Sequence, residues 1–253
     1  MEPIKITCSG CRLRDLCLPN GLNTSELKKF EEIVKQPRPL QRGQQIYRPG
    51  DRFNAIYIVR SGSIKTYTTM STGEQQVIGF HLPGELVGLD GVSDDEFSST
   101  SEAMEMTSIC EIPFTRLELA MSQIKTLQHQ VHRLMGKELL VDQQLLIQLG
   151  KMNAERRVAA FLLNISDRLH KRGFSAREFH LPMTRIDIGN YLGLAVETVS
   201  RQFTHFQVEE IIRVLRKHVI INDLDKLRAI ACVDDYYGLT VPKQNRELHR
   251  DVS

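Results

Sequence analysis

The residues best suited to chemistry in this chain are three cysteines within ten positions. Cys8-Ser9-Gly10-Cys11 is followed by Arg12-Leu13-Arg14-Asp15-Leu16-Cys17, a C-x2-C-x5-C run. Two more, Cys110 and Cys232, lie far along the chain. Five is an odd number, and a disulfide framework wants even numbers and an oxidising compartment, so metal or redox chemistry is the better reading. A thiolate-rich site suits a soft centre, either zinc or an iron–sulfur cluster. Four-cysteine structural zinc sites usually draw on two close pairs. Three close cysteines and a remote fourth fit a cubane cluster better. Spacing alone leaves cluster, zinc staple and bare thiols all open, with Cys110 or Cys232 as the fourth ligand.

A second chemical signal is Thr184-Arg185-Ile186-Asp187-Ile188-Gly189-Asn190-Tyr191-Leu192-Gly193-Leu194-Ala195-Val196-Glu197-Thr198-Val199-Ser200-Arg201. A first helix ends near Leu192, Gly193 permits the left-handed backbone of a tight turn, and a second helix follows. Val196, Val199, Phe203 and Phe206 share the apolar side of that second helix, with Glu197, Arg201 and Thr204 opposite and Ser200 at the edge. In a helix-turn-helix such residues enter the major groove. Arg can donate twice to guanine, Glu can accept from cytosine N4, and Ser can serve several partners. The alternative is a polar face that only meets solvent.

These groups need elements to carry them. Asn23-Thr24-Ser25-Glu26 opens a helical pattern with Leu27, Phe30 and Val34 on one side, closed by Pro37 and Pro39. From about residue 40 to 114, short apolar runs such as Ile56-Tyr57-Ile58-Val59 are punctuated by Gly50, Gly62, Gly73 and Gly84. Turn signals at that regular spacing predict a sandwich or jelly-roll barrel. From Leu117 to Leu149 there is no Pro and only Gly136, which predicts one long helix with two apolar stripes. Leu127, Val131, Leu134, Val141 and Leu145 form one; Met135, Leu139, Leu146 and Leu149, with Asp142 in their middle, form the other. One stripe covers the helix's own domain. The second calls for another helix, most simply that of a symmetric partner. A helix buried all round in one domain is the competing reading. Two Asp142 carboxylates meeting across the two-fold axis would oppose association.

Charge is divided unevenly. Residues 1–150 carry 16 Lys/Arg and 18 Asp/Glu, residues 151–232 carry 14 and 9, and residues 233–253 carry 3 and 4. The basic excess therefore lies in the segment holding the helix-turn-helix, where a polyanion would bind. No apolar run reaches the roughly 18–20 residues of a membrane span, and Met1-Glu2-Pro3-Ile4-Lys5 lacks a signal peptide's apolar stretch, so the expectation is a cytoplasmic protein. There is no Gly-rich nucleotide fingerprint and no catalytic constellation, so no enzyme is expected; His81, His129 and His132 read as surface or packing residues.

The chain resembles the fumarate and nitrate reduction regulator family, a branch of the cyclic-AMP receptor superfamily. The likeness runs from about residue 8 to 207. It rests on the cysteine arm, on Gly79-Phe80-His81-Leu82-Pro83-Gly84-Glu85-Leu86-Val87-Gly88, on Cys110-Glu111-Ile112-Pro113-Phe114, on Asn153-Ala154-Glu155-Arg156-Arg157 and on the helix-turn-helix. It implies an α+β chain: a cysteine-rich arm (1–29), a β-roll sensor domain (30–116), a dimerisation helix (117–150), a winged helix-turn-helix (151–232) and a polar tail (233–253). It implies a 4Fe–4S cluster on Cys8, Cys11, Cys17 and Cys110, destroyed by oxygen with loosening of the dimer and release of DNA. It implies that Glu197, Ser200 and Arg201 read a palindromic T-T-G-A-T half-site, and that RNA polymerase is a partner. Two features depart from the pattern. Family wings usually turn at a glycine, and none stands between Phe206 and His218, which leaves phosphate contact by Arg216 or Lys217 open. The tail matches nothing. The superfamily's other ligand, a cyclic nucleotide, needs a cation for its phosphate. Between Leu82 and Thr115 there is no Lys or Arg and there are eight acidic residues, so no cyclic nucleotide is expected.

Overall fold

The computed structural model describes residues 7–232; the expected polar tail lies outside them. Helix α1 (Thr24–Ile33) starts where Asn23 caps it. The Asn23 carboxamide oxygen accepts from the Ser25 and Glu26 amides at 3.0 Å, and the Glu26 carboxylate accepts from the Asn23 amide at 3.0 Å. This reciprocal box satisfies the otherwise orphaned donors of the first turn. Leu27 and Phe30 then point into the core.

Seven strands follow: β1 (Gln45–Tyr47), β2 (Ala55–Ser61), β3 (Ile64–Thr69), β4 (Gln75–His81), β5 (Leu86–Val87), β6 (Thr100–Ala103) and β7 (Ser108–Pro113). They pair antiparallel in two sheets, ordered β1-β6-β3-β4 and β5-β2-β7. The regularly spaced Gly50, Gly62, Gly73 and Gly84 all adopt left-handed backbone, φ from +79° to +91°. Gly62 is the most constrained, because a methyl there would stand 2.5 Å from the Thr107 hydroxyl. One core lies beneath the β5-β2-β7 sheet, where Ile56, Ile112, Phe30 and Leu117 are almost wholly buried.

The single helix expected over Leu117–Leu149 is two. Helix α2 (Phe114–Gln123) stops at Ile124, whose extended backbone (φ −123°, ψ 94°) redirects the chain into α3 (Lys125–Lys151). Leu117, Ile124 and Leu127 all belong to the core under the β-roll.

Beyond α3 come α4 (Ala154–His170), β8 (Glu178–His180), α5 (Arg185–Leu192), α6 (Val196–Val208), β9 (Ile212–Leu215), β10 (His218–Ile221) and α7 (Leu224–Ala231). Strands β8-β10-β9 form a small sheet against the helices. This second core continues onto the β-roll, where Tyr67, Val77, Phe80 and Met104 belong to the same apolar cluster. Phe80 meets Tyr191 and Phe161 with ring centroids 5.1 and 6.0 Å apart. The chain is thus a β-roll, a long connecting helix and a winged helix-turn-helix, the α+β architecture expected.

Candidate functional site

The cysteine arm has little regular structure to hold it. Two 3-10 turns, Cys8–Gly10 and Arg14–Leu16, are braced from outside. The Ser9 amide donates to Glu31 of α1 at 2.8 Å, Arg14 donates to the Leu22 carbonyl at 2.9 Å, and Gln130 of α3 donates to the Cys17 carbonyl at 3.3 Å. Cys110 comes from the middle of β7, opposite Ile58 of β2. All four thiols are free and half-buried. Cys8, Cys17 and Cys110 rest on the β-roll core. Burial pushes the Cys8 thiol up to about 12, helped by Cys110, Glu31 and Cys11. Burial also raises Cys17, which feels the charge of the other three, and Cys110, where Arg60 opposes the shift. Thiols raised in this way, Cys8, Cys17 and Cys110, stay protonated on their own. Only a strongly cationic centre would hold them as thiolates.

Among the described residues, no three Cys, His, Asp or Glu side chains stand close enough to hold one metal ion. The four thiols share a neighbourhood without converging on a point. Cys232 lies elsewhere, at the C-terminal end of α7, its thiol 3.5 Å from the Ala229 carbonyl.

The helix-turn-helix is built as its residues suggest. Thr184 caps α5 in a reciprocal box with Asp187. Gly193 ends α5 in the left-handed region (φ +61°). Val199, Phe203 and Phe206 anchor α6, while Glu197, Ser200 and Arg201 are exposed on its outer side. Ser200 donates its hydroxyl proton to the Val196 carbonyl at 2.8 Å, so toward a ligand it presents acceptor lone pairs. Arg201 lies 3.2 Å from the Thr198 hydroxyl. The Ala195 side chain provides no cap for α6, which leaves the amides of the first turn for an anion such as phosphate. Strands β9 and β10 form a wing without glycine: the turn Leu215-Arg216-Lys217-His218 is made with Arg216 at φ +59°.

Two residues in this site were missed by the reading of motifs. A methyl on Gly189 would stand 2.6 Å from the Leu194 carbonyl, so a glycine there lets the two helices close. Arg157 forks to three carbonyls, Met152 and Leu192 at 2.9 Å and Leu149 at 2.7 Å, tying the end of α3 to the end of α5. The Asn153-Ala154-Glu155-Arg156-Arg157 block contained this staple, but nothing local marks which arginine turns inward.

Comparison with known proteins agrees with both halves. The Crp-like helix-turn-helix domain family matches residues 156–230, and the cyclic nucleotide-binding domain family matches residues 37–123. The transcriptional activator protein Anr of Pseudomonas protegens is 47% identical over 236 residues, 91% of this chain and 97% of that protein. The fumarate and nitrate reduction regulatory protein of Vibrio cholerae is 44% identical over 228 residues, 90% of this chain and 91% of that protein. The chain belongs to the fumarate and nitrate reduction regulator family. Among solved structures, FixK2 from Bradyrhizobium japonicum superposes with a TM-score of 0.72 at 28% identity, covering 78% of this chain and 97% of that one. As a member of the family this is a DNA-binding transcription regulator and not an enzyme. Among the described residues no helix is long and apolar enough to cross a membrane.

Family membership directs attention to α3. Leu127 and Val131 are buried on the β-roll, and Leu134 packs beside them. Beyond Leu134 the helix leaves its own domain. Met135, Leu139 and Leu146 are 39%, 59% and 69% exposed, and Leu140, Val141 and Ile147 are bare as well. Asp142 is exposed among them and Leu149 half-buried. Val141 was assigned to the inward stripe and instead faces outward, so the bare band is broader than the single expected seam.

Proposed function

We propose that this regulator responds to oxygen through a 4Fe–4S cluster held by Cys8, Cys11, Cys17 and Cys110. With the cluster in place it forms a homodimer that binds palindromic T-T-G-A-T type DNA and engages RNA polymerase. Oxygen destroys the cluster and DNA is released. The observation that carries this reading is that the arm cysteines and Cys110 of β7 lie near enough to feel one another's charge, all free and half-buried, while Cys232 sits at the end of α7. The spacing of three close cysteines and a remote fourth also favours a cubane over a zinc staple, which usually draws on two close pairs. Bound there, the cluster would supply the cationic centre that keeps the thiols ionised and links the arm to β7. The chain's own residues do the rest: Glu31, Leu22 and Gln130 brace the arm. The Anaerobic regulatory protein of Haemophilus influenzae, 46% identical, carries the response in its name.

The same proposal assigns base reading to Glu197, Ser200 and Arg201, and the dimer interface to Met135, Leu139, Asp142, Leu146 and Leu149. It divides the chain into arm (1–29), sensor (30–116), dimerisation helix (117–150), DNA-binding domain (151–232) and tail (233–253), and places the regulator in the cytoplasm. A cyclic nucleotide is not its ligand: the β-roll has no cation between Leu82 and Thr115, and Glu85, the acid of the Gly84-Glu85-Leu86 motif, is already paired with Arg168 and Arg172.

Anaerobic purification tests the assignment. The expected product is brown, with iron and sulfide bound. Serine at any one of Cys8, Cys11, Cys17 or Cys110 should abolish the colour and the bound iron, while Cys232→Ser should retain both. Colour that survives Cys110→Ala but not Cys232→Ala would show the wrong fourth ligand, and a colourless protein with one zinc would replace the cluster by a staple.

A further inference from the structure

The turn Leu82-Pro83-Gly84-Glu85, between β4 and β5, touches parts of the molecule otherwise far apart. On one side lies the cysteine arm. Gly84 has φ +91°, and a methyl on it would stand 3.3 Å from Leu16 Cβ and 4.0 Å from Leu13 Cβ. Leu16 immediately precedes Cys17. On the other side lies the last turn of α4. Arg168 donates from Nε to Glu85 Oε1 at 3.0 Å and from Nη2 to Glu85 Oε2. Arg172 donates from Nη2 to Glu85 Oε1 at 2.5 Å. The backbone takes further bonds: Arg168 donates to the Phe80 carbonyl near the end of β4 and Arg172 to the Pro83 carbonyl of the turn, both at 2.5 Å. The Leu82 amide donates to Glu85 Oε2 at 2.8 Å, which fixes the carboxylate from within.

This is a built socket. The Arg172 side chain is 5% exposed, and those of Glu85 and Arg168 are 21% exposed. Burial would raise the Glu85 carboxyl, but Arg168 and then Arg172 overcome it and hold it down to about 2. Glu138 of α3 stands near the same cluster; burial, then the charge of Glu85, pushes its carboxyl up to about 7. Arm, sensor, connecting helix and DNA-binding domain therefore converge here. A forked arginine–carboxylate pair depends steeply on geometry, and a buried pair robbed of one partner leaves a charge without compensation.

We propose that this turn relays the state of the arm directly to the DNA-binding domain, with Glu85 as the positioning residue that holds α4 on the β-roll. Because α4 packs against α6 and α7, its seating sets where the reading helix points. A second tether, Lys65 to Asp187 at 3.0 Å, seats α5 on the same side, so loss of Glu85 loosens the domain without detaching it. The route runs inside one protomer and does not pass through the dimer seam. It rests on the reading of the arm as the sensing element.

Hydrogen exchange on the full chain, without cluster, tests both ends of the relay. Glu85→Gln keeps the shape of the side chain and removes its charge. Amides in the last turn of α4 should then exchange about tenfold faster, those of β2 and β7 being unchanged. Leu16→Ala should produce a rise in the same α4 amides. In the cluster-loaded dimer, Glu85→Gln should weaken target DNA binding about tenfold with no change in dimer mass. If Glu85→Gln does not fold, Arg172→Lys, which keeps the charge and loses the fork, takes the same three measurements. Unchanged α4 exchange in the Glu85 or Arg172 variant overturns the socket. A Leu16→Ala effect confined to the arm overturns the relay. Absence of iron from the wild-type chain would instead count against the cluster, and the exchange results would stand without it.

Discussion

Arg201 shows how much one side chain can carry. It is exposed on α6 and donates to the Thr198 hydroxyl at 3.2 Å, so its fork can turn toward a guanine. Arg201→Ala is expected to cost about 1–3 kcal/mol per half-site on the target sequence and little on random DNA. Anisotropy titrations on the two duplexes measure the difference. Equal weakening on both would make Arg201 a phosphate contact instead. Its exposed place on α6 was legible in the sequence because it follows from position on an amphipathic helix. The cysteines were legible for a similar reason, since thiol spacing restricts the chemistry before any fold is known. Arg157 and Gly189 were not. The first acts through three carbonyls up to 35 positions away, and the second by what it lacks, a methyl that would strike Leu194. Neither leaves a mark in local pattern.

Turns and breaks within elements divide in the same way. The Gly50, Gly62, Gly73 and Gly84 rhythm announced the turns of the β-roll, because positive φ selects glycine. The wing obeys no such rule, since Arg216 occupies the left-handed position itself (φ +59°). The break at Ile124 was hidden too, because it carries no Pro or Gly to mark it. The wing turn therefore carries a strain that the turns at Gly50, Gly62, Gly73 and Gly84 avoid. Arg216→Gly should relieve the left-handed backbone but give the unfolded chain more freedom, for a net gain of about 0.5–1 kcal/mol in urea unfolding. It also removes a cation from the wing tip. DNA binding should weaken alike on target and random sequences, and the slope of log affinity against log salt should fall by about 1. A more stable protein with an unchanged salt slope would show that the wing tip touches no phosphate.

The molecule taken whole is unfinished as a single chain. Past Leu134, α3 presents Met135, Leu139 and Leu146 to solvent, and burying what is still exposed of each against a second helix is worth about 0.5–2 kcal/mol. Asp142 stands in the middle of that band, and even in one protomer partial burial raises its carboxyl above the usual range. A parallel partner would bring a second Asp142 toward the first and strip water from both, which opposes the apolar gain. Glu138, one helical turn away, adds another acid to the same helix. Such a seam would be poised near balance, so that a modest contribution from an ordered arm would decide whether two chains associate. Gln130 supplies a physical link, since it holds the Cys17 carbonyl from α3 itself. Association matters for DNA because two linked readers bind a palindrome far more tightly than one. Asp142→Ala removes the repulsion and leaves the apolar positions, so it should yield a dimer that persists, and binds target DNA, in air and without a cluster. Sedimentation and DNA titration of the aerobic variant measure both properties. A monomer that ignores DNA would mean that the two carboxylates never meet, and that the balance between one chain and two is set elsewhere along α3.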